Sequence, residues 1–304
     1  MSPTVVIAGA SGFIGSSLTE AFTADGVTVR TIGRSATADV RWGQDLRPLL
    51  EGTDAVINLA GRSVSCRYSK ATADAIFTSR TETTKELGGT LARCERPPRV
   101  WINSSTGTIY RDARDRPQDE ESGELGAGFS VAVARAWEEE LYAAPTPIRK
   151  IALRMAIVLG RGGALNPLVN LARVGLGGAQ GDGEQLVSWV HVDDVYGAIR
   201  HLMTRDSIHG PVNVAAPTPV TNTRLMHAVR SHLGLEHGIP LPRWSLEVGA
   251  RIIRTETELV LKSRWVHPSV LLRTGYAFAH PDLDGALAHI AARTPKGLLP
   301  VQLG

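Results

Sequence analysis

The chain has 304 residues, of which 43% are apolar and 21% charged, with a formal net charge of +3. This length allows a sizeable core, while the scattered basic residues form no stripe of the kind that nucleic-acid binding needs. The sequence contains no run of about eighteen apolar residues, so no membrane span is predicted. Its two cysteines are too few for a disulfide framework or a zinc site, so no metal is expected.

The first predicted elements are a strand, a glycine turn and a helix. Residues 4–8 form the continuous apolar run of a buried parallel strand, and Gly9, Gly12 and Gly15 follow at a spacing of three. Such a turn aims backbone N–H groups at a phosphate, so the segment predicts a site for a dinucleotide diphosphate. A glycine turn without a ligand is the alternative. The chain enters this strand without a leader peptide, which favours a cytoplasmic protein.

The second predicted strand, residues 27–32, is followed by Arg34. A site for NAD usually has a carboxylate here for the ribose hydroxyl groups, whereas an arginine holds a 2′-phosphate through a charge-assisted contact. The sequence therefore favours NADP(H) over NAD. An exposed loop arginine without a ligand is the alternative interpretation.

Further along the chain, strand-like runs alternate with helical patterns, which predicts an α/β fold with a doubly wound parallel sheet. Residues 1–160 are expected to form the dinucleotide-binding domain. Residues 161–304 are expected to add sheet-completing segments and a small, mostly helical C-terminal domain on the substrate side. The predicted strands lie at 54–61, 99–105 and 149–160, and the predicted helices at 70–93 and 130–143.

Several motifs in register carry a resemblance to a known family. They are GASGFIG (9–15), VINLAG (56–61), TSRTETTKEL (78–87), SSTGTIY (104–110), LRMAIVLGRGGAL (153–165), SWVHVDDVYGAI (188–199) and VNVAAPTPVTN (212–222). Together they resemble an extended short-chain dehydrogenase/reductase with a Rossmann-like sheet. More narrowly, the chain resembles the atypical, epimerase/dehydratase-like members that end in a small domain of unassigned role, here suggested by LLRTGYAFAHPDLDGAL (271–287).

The resemblance implies a set of cofactor-binding residues. Arg34 would contact the 2′-phosphate of NADP(H), and residues 59–61 would line the adenosine and ribose. Ser104 and Arg154 complete the set from the central strands. The full set is Gly9, Ser11, Gly12, Phe13, Ile14 and Gly15 around the diphosphate, with Arg34, Leu59, Ala60, Gly61, Ser104 and Arg154.

The resemblance also implies that a hydroxyl group at the end of the strand in SSTGTIY hydrogen-bonds the reacting oxygen. Counted back from Tyr110, this residue is Thr106, with Ser104 and Ser105 as neighbours. A hydroxyl group is suited to orienting a carbonyl oxygen. The alternative is that these side chains only satisfy local backbone groups.

The family's usual proton donor, a tyrosine with a lysine four residues later, is absent. None of the five tyrosines has a lysine at that distance, and the segment GFSVAVARAWEEE places Ser130 and Ala134 at the two positions. A serine hydroxyl alone is a poor acid near neutral pH. Three substitutes remain open: Tyr110 reaching the substrate, a water held by Thr106 and Ser130, or an acidic group of the substrate.

His191 is a further proton-transfer candidate, because imidazole titrates in the useful range. Its position before a helix start favours packing and capping instead, and Asp193 and Asp194 are expected to cap that helix.

Relatives that act on sugar nucleotides carry an arginine where this chain has Val187, which removes an expected diphosphate anchor.

The substrate side is expected to include residues 62–68, 107–130 and 153–167, with Trp189, Arg264, Trp265 and His267. The acidic stretch at 117–124 is interpreted either as a mobile loop that closes over the nicotinamide or as a solvated surface.

We therefore predict an enzyme, an NADP(H)-dependent oxidoreductase acting on a small or medium organic carbonyl compound or alcohol. Two alternatives remain: a sugar-nucleotide-type epimerase or dehydratase, and a non-catalytic NADP-sensing binding protein. The expected partner is a small-molecule substrate, with neither nucleic acid nor a membrane. A homodimer through the helices at 70–93 and 130–143 stays open.

Overall fold

A computed structural model describes residues 2–64, 66, 68–246, 261–292, 294 and 297–299. Its centre is a seven-stranded sheet in which every neighbouring pair is parallel, in the order β11-β6-β5-β4-β1-β2-β3. The strands are β1 Thr4–Ala8, β2 Thr28–Gly33, β3 Val40–Arg41, β4 Ala55–Asn58, β5 Val100–Thr106, β6 Arg149–Met155, β7 Ile157–Gly160, β8 Gly162–Gly163, β9 Leu186–Val187, β10 Trp189–His191, β11 Gly210–Val214 and β12 Val220–Thr221.

Helices cover both faces of this sheet, as the alternating pattern predicted. The helices are α1 Phe13–Ala24, α2 Arg47–Leu50, α3 Lys70–Leu91, α4 Phe129–Ala143, α5 Leu165–Arg173, α6 Val192–Met203, α7 Asn222–His232, α8 Ser269–Arg273 and α9 Leu283–Ala291, with a 3₁₀ turn at Gly107–Ile109. Side chains of β1 alternate between two buried clusters. Val5 and Ile7 pack with α1 and α6, whereas Val6 and Ala8 pack with α2, α3 and α4. The predicted doubly wound α/β fold is confirmed.

The strand order reverses direction between β1 and β4. The chain builds β1, β2 and β3 outward on one side and then returns to place β4, β5 and β6 on the other. In open parallel sheets, ligands bind in the crevice beyond the carboxyl ends of the strands at such a reversal. The fold therefore places a binding crevice beside the glycine turn that follows β1.

The predicted continuous strand at 149–160 is two strands. The backbone N–H of Ala156 donates to Val214 of β11, whereas that of Ile157 donates to Ser188 next to β10. The chain thus leaves the large sheet at Ala156 and enters a three-stranded sheet of β10, β7 and β8. Both halves are apolar and buried, so hydrophobicity alone did not reveal the change of partner.

The C-terminal part packs α5, α7 and α9 into a separate buried cluster. It is joined to the large sheet through Asp194 of α6, whose carboxylate accepts backbone N–H bonds from Ala279 and His280 at 2.7 and 2.9 Å. No helix in the described part of the chain combines the length and apolar composition that crossing a bilayer requires.

Candidate functional site

The glycine turn between β1 and α1 has the geometry of a phosphate cradle. Gly9 adopts a positive φ of 83°, and a Cβ atom there would lie 2.9 Å from the carbonyl carbon of Leu59. The N-cap of α1 is Gly12, so no side chain satisfies the first-turn N–H groups at Phe13 and Ile14. An anion placed there would meet uncapped donors at the positive end of a 12-residue helix.

A cavity of about 390 Å³ opens beyond the carboxyl ends of β1, β4 and β5, at the strand-order reversal. We call it the strand-end cavity. The predicted site residues that line it are Gly9, Gly12, Phe13, Ile14, Gly15, Leu59, Gly61, Ser104, Ser105, Thr106 and Ser130.

Four predicted cofactor residues lie outside this lining, Arg154 among them. Ser11 and Arg34 are exposed, and Ala60 is buried with its N–H bonded to Asn58. Within the described residues, the Arg34 side chain makes no hydrogen bond or ion pair. Its guanidinium group is therefore not committed to a neighbouring side chain.

Thr106 ends β5 and lines the strand-end cavity. Its side-chain oxygen accepts the N–H of Thr108 at 3.1 Å, and that bond fixes the rotamer where the chain enters the 3₁₀ turn. The hydroxyl hydrogen donates to no acceptor in the described part of the chain. Thr106 is thus held in place by one bond and retains one donor.

The first turns of α4 form the opposite wall. Gly128, with φ 103°, precedes the helix, and Ser130, Ala134 and Trp137 all line the cavity from successive turns. The structure therefore brings Ser130 into the same cavity as Thr106. The methyl group of Ala134 occupies the position at which the family resemblance expects a lysine.

A buried hydrogen-bond network behind the wall that carries Thr106 contains Tyr110, Ser105 and Arg154. Arg154 donates two bonds to the Glu138 carboxylate, at 2.8 and 2.7 Å, and a third to the Tyr110 oxygen at 3.0 Å. The Ser105 hydroxyl donates to Glu138 at 2.6 Å. We call Ser105, Tyr110, Glu138 and Arg154 the paired network.

These contacts argue against three of the predicted roles, which stay untested predictions. Tyr110 is 2% exposed and donates to Asn213 at 2.9 Å, so its hydroxyl faces away from the cavity instead of toward a substrate. Burial is the main cause that raises its pKa. Arg154 uses three of its five N–H donors on Glu138 and Tyr110, which holds the guanidinium group in the paired network rather than at a cofactor. Ser105 touches the cavity, but its hydroxyl hydrogen is committed to Glu138.

His191 lies at a different site from Thr106. It is 2% exposed, borders a second cavity of about 620 Å³, and accepts the N–H of Asp193 through Nδ1 at 3.1 Å. His191 itself is therefore the cap of α6. The predicted capping aspartates have other contacts: Asp194 holds the C-terminal segment and Asp193 faces three histidines.

The acidic stretch at 117–124 is anchored and does not form an unattached lid. Backbone bonds join Gln118 to Trp265 and His267, at 2.7 and 2.9 Å, and the Glu120 carboxylate accepts the N–H of Asn213 at 2.9 Å.

Of the side chains expected around the substrate, Trp189 is buried in the core that packs α5, α7 and α9. Arg264 is likewise buried, and neither side chain reaches the strand-end cavity.

Two arginines line the strand-end cavity: Arg62, which begins the segment 62–68 expected on the substrate side, and Arg80, to which the sequence analysis gave no role. Arg80 of α3 lies 5.0 Å from the ring centre of Trp137 and donates to the Ile76 carbonyl at 2.9 Å, but meets no carboxylate in the described residues. Burial lowers its pKa to about 10. Arg62 also borders the cavity, and its buried Nε finds no acceptor among the residues that the structure describes. Both side chains present positive charge to the cavity.

The sequence held a partial signal for these arginines. Arg80 lies in the quoted motif TSRTETTKEL, and Arg62 follows the predicted strand at 54–61 directly. Tyr68, from the loop after Arg62, also lines the cavity and packs against Phe129 with ring centres 4.6 Å apart. Spacing along the chain could not show that these side chains meet Thr106.

Comparisons with known proteins match this architecture. The sequence pattern of the NAD dependent epimerase/dehydratase family fits residues 5–215, and that of a domain of unknown function, DUF1731, fits residues 241–290, of which 247–260 lie outside the described residues. The human epimerase family protein SDR39U1 is 30% identical over 293 residues, covering 95% of this chain and 99% of its own length.

Two solved structures extend the comparison. A crystal structure of human SDR39U1 (isoform 2) with NADPH has a TM-score of 0.87 at 29% identity, and covers 95% of this chain and 99% of that one. The nucleoside-diphosphate sugar epimerase from Corynebacterium glutamicum has a TM-score of 0.78 at 28% identity, over 97% of this chain and 59% of that one.

Proposed function

Because this chain belongs to the NAD dependent epimerase/dehydratase family, we propose that it is an NADP(H)-dependent oxidoreductase acting on a small carbonyl compound or alcohol that carries an anionic group. The observation that carries the proposal is the strand-end cavity. One wall presents an uncapped helix N-terminus and another presents Thr106 and Ser130. Arg62 and Arg80, whose guanidinium groups meet no carboxylate in the described part of the chain, border the same space.

The residues fit a nicotinamide dinucleotide. A diphosphate over Gly12 would accept the uncapped N–H groups of α1, and Gly9 and Gly15 pack against backbone so closely that a Cβ atom would not fit. Arg34 follows β2 and carries a guanidinium group that no described residue occupies, which supports binding of a 2′-phosphate there. The crystal structure of the related human SDR39U1 with NADPH supports the preference for NADP(H) over NAD.

Hydride transfer is the chemistry that a bound nicotinamide supplies, and the protein supplies orientation and a proton path. Thr106 donates its hydroxyl hydrogen to the substrate oxygen and so orients the reacting carbon. A water held by Thr106 and Ser130 delivers the proton. Tyr68 is a phenol on the same cavity wall and is the other donor to test.

The substrate class follows from Arg80 and Arg62. Burying a guanidinium group without an anion costs free energy, and a carboxylate or phosphate group on a ligand removes that cost. Arg80 lies beside Trp137 and Tyr68 contributes to its electrostatic environment, so the charge is at the α4 side of the cavity with Ser130 and Ala134. We assign this charge to the substrate.

The test uses NADPH and keto acids, each paired with its uncharged methyl ester, and follows the absorbance of the reduced nicotinamide. We expect consumption with at least one acid and much less with its ester. Arg80→Met should abolish the preference, whereas Glu139→Gln, an exposed change on α4, should preserve it. Faster turnover of the esters would contradict the anionic substrate.

A parallel pair of variants separates the two proton paths. If a water held by Ser130 delivers the proton, Ser130→Ala lowers kcat and Tyr68→Phe does not. If Tyr68 is the donor, the order is reversed. Because neither change touches the phosphate cradle, the Kd for NADPH should stay the same in both.

Two alternative functions have their own supporting observations. Ser130 and Ala134 in place of an activated tyrosine favour a binding protein without catalysis, and tight NADPH binding with no turnover of any carbonyl compound would support it. The name of the Corynebacterium relative favours a sugar-nucleotide epimerase. Against that, Val187 is buried and offers no anchor for a diphosphate. Interconversion of UDP-sugars without net NADPH consumption would favour the epimerase.

We also propose a cytoplasmic protein whose partner is the small-molecule substrate, with no nucleic acid or membrane. A homodimer through α3 and α4 is the proposed assembly. Phe77 and Tyr142 are large side chains on these helices that remain exposed. Sedimentation of the wild type and of a Phe77→Glu variant tests it, and a monomeric wild type would contradict the proposal.

A further inference from the structure

We infer that His191, Asp193, His280 and His289 form a binding site for a divalent transition-metal ion of the zinc class. We call these residues the histidine cluster. It lies at the second cavity, apart from Thr106 and Ser130, and its role is independent of the proposed oxidoreductase activity.

The geometry of the histidine cluster is close to that of a tetrahedral site. Each residue offers one ligand atom, and these atoms all lie within 4.8 Å of one another. His289 Nδ1 is 3.3 Å from His191 Nε2, and Asp193 Oδ2 is 3.6 Å from His280 Nε2 and 3.9 Å from His289 Nδ1. Zinc bonds of about 2.0–2.1 Å place tetrahedral ligand atoms roughly 3.3–3.4 Å apart, so only small side-chain movements are needed.

The ligand chemistry agrees with the geometry. Three imidazole rings and one carboxylate form a nitrogen-rich set of the type that zinc, cobalt and nickel prefer to magnesium or calcium. The rings of His191 and His280 are centred 3.9 Å apart, and those of His280 and His289 are 4.8 Å apart. Because imidazole lone pairs lie in the ring planes and the planes of His280 and His289 are inclined by only 28°, these rings rotate for their nitrogens to converge on one ion.

The backbone holds the cluster in place from three segments of the chain. His191 and Asp193 begin α6, and His289 lies on α9. His280 is positioned by the buried Asp194 carboxylate, which accepts the N–H groups of Ala279 and His280. Asp194 therefore acts as a support for the site, and the ligands do not depend on one mobile loop.

The cluster is accessible to an ion from solution. His191, Asp193 and His289 border the second cavity, and Asp193 is 52% exposed at its side chain. Ligation through His191 Nε2 puts the proton on Nδ1, which faces Asp193 Oδ2 at 3.5 Å. The Asp193 oxygen that does not bind the ion would accept this proton and so fix the ligating tautomer of His191. The bond from the Asp193 N–H to Nδ1 is given up in exchange.

Four protein ligands fill a tetrahedral shell, which is typical of a structural site rather than a catalytic one. The ion would join the start of α6 to α9, and so attach the C-terminal segment that matches the domain of unknown function to the dinucleotide-binding sheet. Metal binding should therefore stabilise the folded chain in proportion to the concentration of free ion.

The test uses the untagged full-length protein, treated with a chelator and dialysed. Calorimetry with zinc chloride should show one ion per chain, and the Tm should rise with zinc concentration. Cobalt(II) should give the intense visible absorption of tetrahedral coordination. His289→Ala and His280→Ala should each weaken zinc binding at least about 10-fold, whereas His209→Ala, at an exposed histidine elsewhere, should not.

NADPH binding serves as the folding control, because the phosphate cradle does not include the cluster. A variant that keeps NADPH affinity but loses zinc supports the site. Should a variant fail to fold, the cobalt spectrum of the wild type decides. Absence of one-to-one zinc binding, an octahedral cobalt spectrum, or equal zinc affinity in the His280→Ala/His289→Ala double variant would each overturn the inference.

Discussion

Arg154 contacts Glu138 of α4 and Arg80 contacts the adjacent Trp137, but among the described residues only Arg154 meets a carboxylate. Burial by itself acts to lower the pKa of both guanidinium groups. For Arg154, the hydrogen bonds and charge of Glu138 outweigh that effect and raise the pKa, whereas for Arg80 the pKa falls to about 10. The charge of Arg154 is therefore balanced within the protein by Glu138. We propose that a ligand balances the charge of Arg80 in the strand-end cavity.

The largest effect should follow from breaking the paired network. Glu138→Gln leaves the buried Arg154 charge without its counter-ion, and we expect a loss of about 3–5 kcal/mol in the free energy of unfolding. Denaturant titration measures it, with Glu139→Gln on the exposed face as the matched control. Equal stability of both variants would mean that Arg154 and Glu138 do not form a structural pair.

Thr106→Ala tests the cavity side of the comparison. Removal of one donor to the reacting oxygen should lower kcat about 100-fold or more, because that bond strengthens as charge develops. The free energy of unfolding and the Kd for NADPH should change little. Steady-state kinetics and calorimetry on the same sample check this, and an unchanged kcat would remove Thr106 from the reaction.

Arg80→Met sharpens the contrast with Arg154 directly. Because no described carboxylate pairs with Arg80, its removal strands no buried charge. The free energy of unfolding should therefore stay within about 1 kcal/mol of the wild type. The loss of a charge-assisted bond to an anionic substrate should cost roughly 10–100-fold in kcat/KM. Thermal unfolding and kinetics together decide, and a large destabilisation would place Arg80 in the structural class with Arg154.

Arg34→Ala should weaken NADPH binding by roughly 10-fold, the value of one charge-assisted contact to a phosphate. NADH binding should not change, because it has no 2′-phosphate. Calorimetry with both dinucleotides makes the measurement. If both affinities stay equal to those of the wild type, the NADP preference does not arise from Arg34.

The smallest effect concerns pH. Tyr110 has a raised pKa in the folded chain, so the unfolded chain loses that proton first as the pH rises above about 10. The folded state therefore loses stability in this alkaline window and is unaffected by this group near neutrality. Tyr110→Phe should show a shallower alkaline decline in the free energy of unfolding, and an identical slope would contradict the shift.

The sequence predicted the parts of the molecule that local pattern controls. The continuous apolar run at 4–8 and the spacing of Gly9, Gly12 and Gly15 specify a strand and turn that the structure reproduces. The missing tyrosine and lysine were also visible, since Ser130 and Ala134 can be read directly. Pairing between distant segments was not visible. Nothing near Arg154 or Tyr110 in the chain indicates Glu138 and Asn213, which commit their side chains to the interior.

The same limit applies to the histidine cluster. Residues 191, 280 and 289 have no spacing of a metal motif, and two cysteines gave reason to expect no metal. Only the docking of α9 beside α6 brings the three imidazole groups together. Chemistry assembled by tertiary packing leaves no periodic trace in the chain.

Phe13 borders both cavities, and its ring is held against the backbone of Gly160, Gly162 and Gly163. A methyl group at Gly160 or Gly163 would come within 2.7 Å of that ring. The Phe13 ring consequently lies between the strand-end cavity and the second cavity on this side. Enlarging either cavity past Phe13 would therefore reduce the other.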